Sequence, residues 1–346
     1  MKWLYRHIEL KKKYSLRISR GVSSGSINLF VVVETENCVG IGEAAPGAGA
    51  DTAEACEQQL KEFVEQQGIP LNPFDAWNNA HSVGIALCAW AGVDIALWDL
   101  LAKKSGQPLY KLLGLPNRSV PTSVTIGIST PEIVRERVPE LLSRTGARNL
   151  KIKLGNPEGI EADQAMYAEV QKMARRFGVS LRVDANGGWS LADATTMMLW
   201  LQNRDCDYIE QPLNSDSDDQ LPSLFASRKL PIFIDESCNL STDVARLSDC
   251  IDGVNIKLMK CGGISAAREI ASTALAKGID LMWGCNDESI ISISAALNTA
   301  LAYPNTKYLD LDGSLDLAKD VVKGGFIIKK GVMSSVSAPG LGVTLI

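Results

Sequence analysis

Apolar positions along the middle of the chain fall into short runs, each closing on a charged residue. Leu150-Lys151-Ile152-Lys153-Leu154, Leu181-Arg182-Val183-Asp184, Asp207-Tyr208-Ile209-Glu210, Pro231-Ile232-Phe233-Ile234-Asp235 and Val254-Asn255-Ile256-Lys257 all follow this rule. Runs of this length, rich in β-branched residues, predict buried strands. Helical patterns lie between them. Met166, Val170, Met173, Ala174 and Phe177 share one face before Gly178, and Ser190 with Asp193 reads as a helix N-terminal cap. The steps from Lys153 to Asp184, Glu210, Asp235 and Lys257 are 31, 26, 25 and 22 residues, room for one strand, one helix and two short loops each time. Such alternation, with polar residues at the strand C-terminal ends, predicts a β/α barrel with its site at that end.

The flanks follow other patterns. Asn28 to Glu34 is strongly strand-forming, Glu36-Asn37 turns, and Cys38 to Glu43 runs back, an antiparallel arrangement with no room for a helix. Arg17 to Ser26, rich in Ser, Gly and Arg, predicts a flexible loop. Asp51-Thr52 opens a helix to about Gln67, and Ala86 to Ala102 forms another with Ala89, Val93, Ala96, Leu97 and Leu100 on one face. Val120 to Ile128 reads as the first barrel strand, Asp280 to Cys285 as the seventh and Lys307 to Leu311 as the eighth. The expected organisation is an α+β capping domain over 1–117, the barrel over 118–313, and a tail over 314–346 that returns to the cap sheet.

Three carboxylates on neighbouring strands, Asp184, Glu210 and Asp235, would form a hard anionic cluster whose members raise each other's pKa. A Mg²⁺ ion relieves that repulsion and takes a few carboxylates with positions left for substrate oxygen. Lys151 and Lys153, two apart on one strand, point to the same face. Lys257 arrives from the far side of the carboxylate row. A lysine close to a dication should have its pKa lowered towards the working pH. Two such lysines on opposite faces of one carbon could remove a proton from one side and return it to the other, next to a carboxyl group held by the metal. Asp310 and Asp312 share one side of their strand by the period of two, and two carboxylates at a barrel mouth suit an ammonium group.

At 346 residues and 46% apolar, the chain has enough for a large core. A net charge of −5 provides no basic surface for nucleic acid. No apolar run reaches membrane-spanning length, and Met1 to Arg6 lacks a signal-peptide core. The eight cysteines include no Cys-x-x-Cys pair and read as reduced thiols of a cytoplasmic protein.

The chain resembles the muconate-lactonizing-enzyme subgroup of the enolase superfamily. The matching pieces are Lys151-Ile152-Lys153, Asp184-Ala185-Asn186, Glu210-Gln211-Pro212, Asp235-Glu236-Ser237 and Lys257-Leu258-Met259-Lys260 with Gly262-Gly263. The resemblance implies an α/β fold, a modified (β/α)7β TIM barrel with an α+β cap. It implies Mg²⁺ on Asp184, Glu210 and Asp235, and acid/base roles for Lys153 and Lys257. Asp310-Leu311-Asp312 is similar to the segment that binds the free α-amino group in dipeptide epimerases. Around the substrate the expected residues are Lys151, Asp310, Asp312, Glu288 and Arg20. An arginine at the position of Arg20 meets the side-chain carboxylate in Ala-Glu epimerases, although a solvated loop charge would read the same way. Asn186 either reaches the metal through a water or makes a loop hydrogen bond. Asp287 is left without a role.

Only two histidines occur, His7 and His81, both before the barrel, which argues against the mandelate-racemase branch. The expected activity is a Mg²⁺-dependent dipeptide epimerase, with L-Ala-D/L-Glu as one candidate substrate pair. N-succinyl amino acid racemase and o-succinylbenzoate synthase are alternatives within the subgroup, and a non-catalytic ligand-binding barrel is a remote one. The expected partner is a small dipeptide, with neither nucleic acid nor membrane, in a homo-oligomer.

Overall fold

A computed structural model describes residues 1–47, 49–114 and 119–346. The chain opens with an antiparallel sheet in the order β1 (Lys2–Ile18), β2 (Gly21–Glu34), β3 (Val39–Ala44). Leu29, Phe30, Val31 and Val33 of β2 are buried, as the apolar run dictates. The stretch from Arg17 to Ser26 is no flexible loop. It is the tip of a long β1–β2 hairpin, with Ile18 paired to Gly21 and Leu16 to Ser23. Composition misleads there because Ser23 and Gly25 serve contacts. Ser23 Oγ donates to Asp287 Oδ2 at 2.6 Å, and a Cβ on Gly25 (φ +147°) would lie 2.2 Å from the Leu10 carbonyl oxygen.

Four helices complete this part: α1 (Ala53–Gln67), α2 (Pro73–Val83), α3 (Leu87–Lys104) and α4 (Leu109–Leu113). Thr52 caps α1 by accepting from Ala55 N at 3.1 Å. α2, started by Asn72 and Pro73, has no counterpart in the pattern above. α3 is buried almost all round because it lies between sheet and barrel. Its Asp94 accepts Ser265 N at 3.0 Å, and its Asp99 accepts Ile41 N at 2.9 Å and Leu341 N at 2.8 Å. The expected cap boundary at Asn117 lies outside the described residues.

The barrel strands alternate with helices throughout. In order they are β4 (Ser123–Ile126), α5 (Pro131–Thr145), β5 (Asn149–Lys153), α6 (Ile160–Arg175), β6 (Ser180–Asp184) and α7 (Leu191–Leu201). Then come β7 (Cys206–Glu210), α8 (Leu221–Ser227), β8 (Ile232–Ile234), α9 (Ser241–Leu247), β9 (Gly253–Ile256) and α10 (Leu258–Cys261). The last are α11 (Ile264–Lys277), β10 (Asp280–Gly284), α12 (Ile290–Ala300) and β11 (Thr306–Asp310). The strands form one sheet in sequence order, each pair parallel, and a parallel bridge from Thr122 to Leu309 closes it. Met166, Val170, Met173 and Ala174 of α6 are buried. Phe177 lies past the helix end and is 42% exposed, so it leaves the predicted stripe.

One pleat below the strand ends, Tyr208, Phe233 and Tyr308 pack together, with ring centroids 4.7–5.4 Å apart, and Arg182 stacks 4.6 Å from the Tyr308 ring. They fill the barrel beneath the polar residues. The tail forms β12 (Val322–Gly324), β13 (Phe326–Lys329), β14 (Val332–Ser335) and β15 (Val343–Leu345), pairing β12 with β15 and β13 with β14. These strands do not join the cap sheet. Leu317 bridges to Lys12 of that sheet, while Gly340 and Leu341 dock on α3 and the start of α4. No helix among the described residues is long and apolar enough to cross a membrane.

Candidate active site

Strand register sets the polar row. Lys153 pairs with Asp184, and Asp184 with Glu210, on adjacent parallel strands. Asp235 follows β8 and Lys257 follows β9. Asp184, Glu210 and Asp235 are fully buried, and one carboxylate oxygen from each lies within 4.8 Å of the others. A lysine stands at either end of this row: Lys153 Nζ is 2.5 Å from Asp184 Oδ2, and Lys257 Nζ is 2.7 Å from Asp235 Oδ2. Lys151 lies one pleat deeper, bonded to Asp310 and 3.7 Å from both Asp184 and Glu210.

The charges are strongly coupled. Burial, reinforced by the Asp184 charge, pushes the Glu210 carboxyl up to about 8. Asp235 goes the other way: burial alone would raise it, but Lys257 and Lys260 hold it below the usual carboxylate range. Lys260 reaches Asp235 Oδ1 at 2.6 Å and also donates to the Cys238 carbonyl at 2.9 Å. Burial would lower Lys151, yet Asp310, Glu210 and Asp184 lift it well above 10.5, so it stays a fixed cation. Lys257 is likewise raised, because Asp235 outweighs burial. The fall expected from sequence reasoning therefore requires a cation that competes with Lys257 for Asp235.

Asp310 and Asp312 both line the cavity above the row, which measures about 380 Å³. Asp310 also accepts from Ser123 Oγ at 2.5 Å, and Lys151 holds it below its ordinary value against burial. Asp312 Oδ2 accepts from Thr125 N at 2.7 Å; burial and the neighbouring Asp310 push its carboxyl up to about 6. Leu16, Ile18 and Val22 of the hairpin add an apolar wall. Arg20 lines the same cavity but is already engaged, 2.5 Å from Glu236 Oε1 and donating to the Asn186 carbonyl at 3.1 Å. Glu288 is buried and does not line this cavity; it accepts Asn286 N at 2.8 Å, and burial and Glu43 push it up to about 8.

Asn186 makes loop hydrogen bonds to Asp184 and Glu236. Asp287 ties hairpin to barrel, 2.5 Å from Lys12 and bonded to Ser23. The pattern singled out neither Lys260 nor Asn255, although Asn255 donates to Glu210 Oε1 at 2.6 Å. The available signal was position: Asn255 is two residues before a strand-end lysine, one pleat deeper, as Lys151 is relative to Lys153.

Glu210 Oε2 has no hydrogen-bond partner among the described residues. A carboxylate oxygen without a hydrogen bond, in a buried cluster of three acids, fits a hard dication such as Mg²⁺.

Two family models match: the mandelate racemase/muconate lactonizing enzyme N-terminal domain over residues 6–114, and the enolase C-terminal domain-like family over residues 134–346. A hydrophobic dipeptide epimerase of Roseobacter litoralis is 51% identical, covering 100% of this chain and 99% of that protein. The dipeptide epimerase of Methylococcus capsulatus, solved with Mg and L-Arg-D-Lys, superposes with a TM-score of 0.91 at 37% identity, over 99% of this chain and 98% of that one. The dipeptide epimerase of Enterococcus faecalis, solved with Mg and L-Leu-L-Tyr, gives 0.92 at 33% identity over 99% of both chains. With both halves matched on a barrel that carries its acids and lysines at successive strand ends, the chain belongs to the mandelate racemase/muconate lactonizing enzyme family of the enolase superfamily.

Proposed function

We propose that this protein is a Mg²⁺-dependent dipeptide epimerase, an isomerase that exchanges the proton on the α-carbon of the dipeptide's C-terminal residue. The observation that carries it is the pair of lysines, Lys153 and Lys257, at the two ends of the buried carboxylate row. Asp184, Glu210 and Asp235 would hold Mg²⁺, which supplies positive charge beside the substrate carboxylate and so acidifies the neighbouring C–H. Lys153 takes the α-proton from one face and Lys257 delivers one to the other, or the reverse, according to which epimer is bound. Lys151 remains charged and anchors Asp310 beneath the cavity. Asp310 and Asp312 receive the substrate ammonium; only a substrate with a free amino end uses both carboxylates, which favours a dipeptide over an N-succinyl amino acid.

The apolar hairpin wall and the ion pair that occupies Arg20 favour apolar side chains, in keeping with the 51%-identical relative. L-Ala-D/L-Glu is a second reading, favoured by the place of Arg20 on the cavity wall. The domain division at 117 and 313, a cytoplasmic location and a homo-oligomeric state complete the proposal; light scattering tests the last.

The deciding experiment is incubation with Mg²⁺ and an L,L-dipeptide library in D₂O, read by mass spectrometry. A one-dalton gain in dipeptides with apolar C-terminal residues is expected. Gain confined to Ala-Glu would select the second reading. Gain in N-succinyl amino acids alone would overturn the role of Asp310 and Asp312.

A further inference from the structure

Asn255 is fully buried on β9, and its side chain meets the site just described through Glu210. β7 and β9 are alternate strands, whose inward side chains share a layer in a barrel. The Asn255 amide reaches across to Glu210 Oε1 with its nitrogen, the only end an ionised carboxylate can accept. Its oxygen has no hydrogen-bond partner among the described residues. A buried amide with one end unpaired is unfavourable, and an apolar side chain would fill the space without that penalty.

The neighbouring strand makes room for it. A Cβ on Gly284 of β10 would lie 2.7 Å from Asn255 Oδ1 and 2.8 Å from Nδ2. Glycine weakens a strand interior, and a common reason to find it there is a close approach by another group. Here the group that approaches is the Asn255 amide.

We propose that Asn255, seated against Gly284, is a positioning residue for the metal: it fixes Glu210 through Oε1 and leaves Oε2 available to the cation. The inference rests on the reading that Asp184, Glu210 and Asp235 hold Mg²⁺. Groups that orient a metal-binding side chain typically change metal affinity 10- to 100-fold when removed. Gly284 acts one step further out, by keeping the amide in place.

The test is Mn²⁺ binding to the intact protein, measured by the electron paramagnetic resonance of free Mn²⁺, for the parent, Asn255→Ala, Gly284→Ala, the double variant and Glu210→Gln. Asn255→Ala should raise the Mn²⁺ Kd by about 10- to 100-fold. Gly284→Ala should also raise Kd, by pushing the amide against Glu210. In the double variant Gly284→Ala should add nothing, since Asn255→Ala removes the amide that the new Cβ would meet. An Asn255→Ala Kd within about twofold of the parent, or independent multiplication of the two effects, overturns the proposal. If Asn255→Ala does not fold, Gly284→Ala decides by the same twofold criterion. A parent that binds no Mn²⁺, or a Glu210→Gln variant that binds it as well as the parent, overturns the metal reading itself.

Discussion

Two sets of charged side chains meet at the barrel mouth, and they are built in opposite ways. On the barrel, Lys153, Asp184, Glu210, Asp235 and Lys257 sit at or just past strand ends, fixed by register and buried. On the cap, Arg20 rides the tip of a hairpin with its side chain 53% exposed, held by Glu236 and a carbonyl oxygen of the barrel. A buried strand-end group loses little freedom when it acts, and its electrostatics are strong because water is excluded. An exposed hairpin group can be exchanged without disturbing a core. On the proposed function the contrast would divide the labour: the barrel would supply the proton chemistry, and the hairpin would read the side chain.

The largest effect should come from the barrel lysines. Lys257→Ala should lower epimerisation by about 10³-fold or more. The epimer whose α-proton faces Lys153 should still wash out deuterium without inverting. Exchange from both epimers, followed by nuclear magnetic resonance, would break the two-base arrangement. Next is the metal. With its carboxyl near 8, Glu210 holds a proton at neutrality in the absence of a cation, and metal binding must expel it. Apparent Mg²⁺ affinity should therefore fall about tenfold per unit on acidification below pH 8. Calorimetry in buffers of different ionisation heat would show the released proton; a pH-independent affinity would contradict it.

A smaller effect belongs to Asp312. Its carboxyl near 6 means that the charge offered to the substrate ammonium is lost as pH drops through that value. The dipeptide KM should climb below pH 6, and Asp312→Asn should raise KM about 10- to 100-fold at pH 8 while leaving kcat nearly unchanged, as expected for one charge-assisted hydrogen bond. A fall in kcat alone would place Asp312 in the chemistry. The smallest change is expected from the cap. Arg20→Ala should alter turnover of apolar dipeptides by no more than about threefold, the scale of an exposed ion pair, and should reduce any Ala-Glu turnover more. A loss on apolar dipeptides as large as that for Lys257→Ala would erase the division between barrel and hairpin.

What the sequence made legible follows the same division. Strand-end acids and lysines stood out because a charge that closes a buried run is conspicuous, and the spacing between runs set their order around the barrel. The hairpin was hidden because Ser23 and Gly25 look like loop residues until Asp287 and the Leu10 carbonyl are placed beside them. Asn255 was hidden for another reason: a neutral amide in a strand carries no charge to mark it, and its partner is 45 residues away. The engagement of Arg20 with Glu236 likewise depends on tertiary approach, which no local pattern encodes.

The docking of Leu341 on Asp99 has a consequence for the chain while it is being made. Asp99 is a buried carboxylate that takes one of its backbone donors from Ile41 and another from Leu341, 242 residues downstream. During vectorial synthesis the cap sheet and its long helix leave the ribosome first, with that acid only partly satisfied. Asp99 can therefore gain that donor only after translation has passed residue 341, so an acid on an early helix is completed by one of the last segments to emerge.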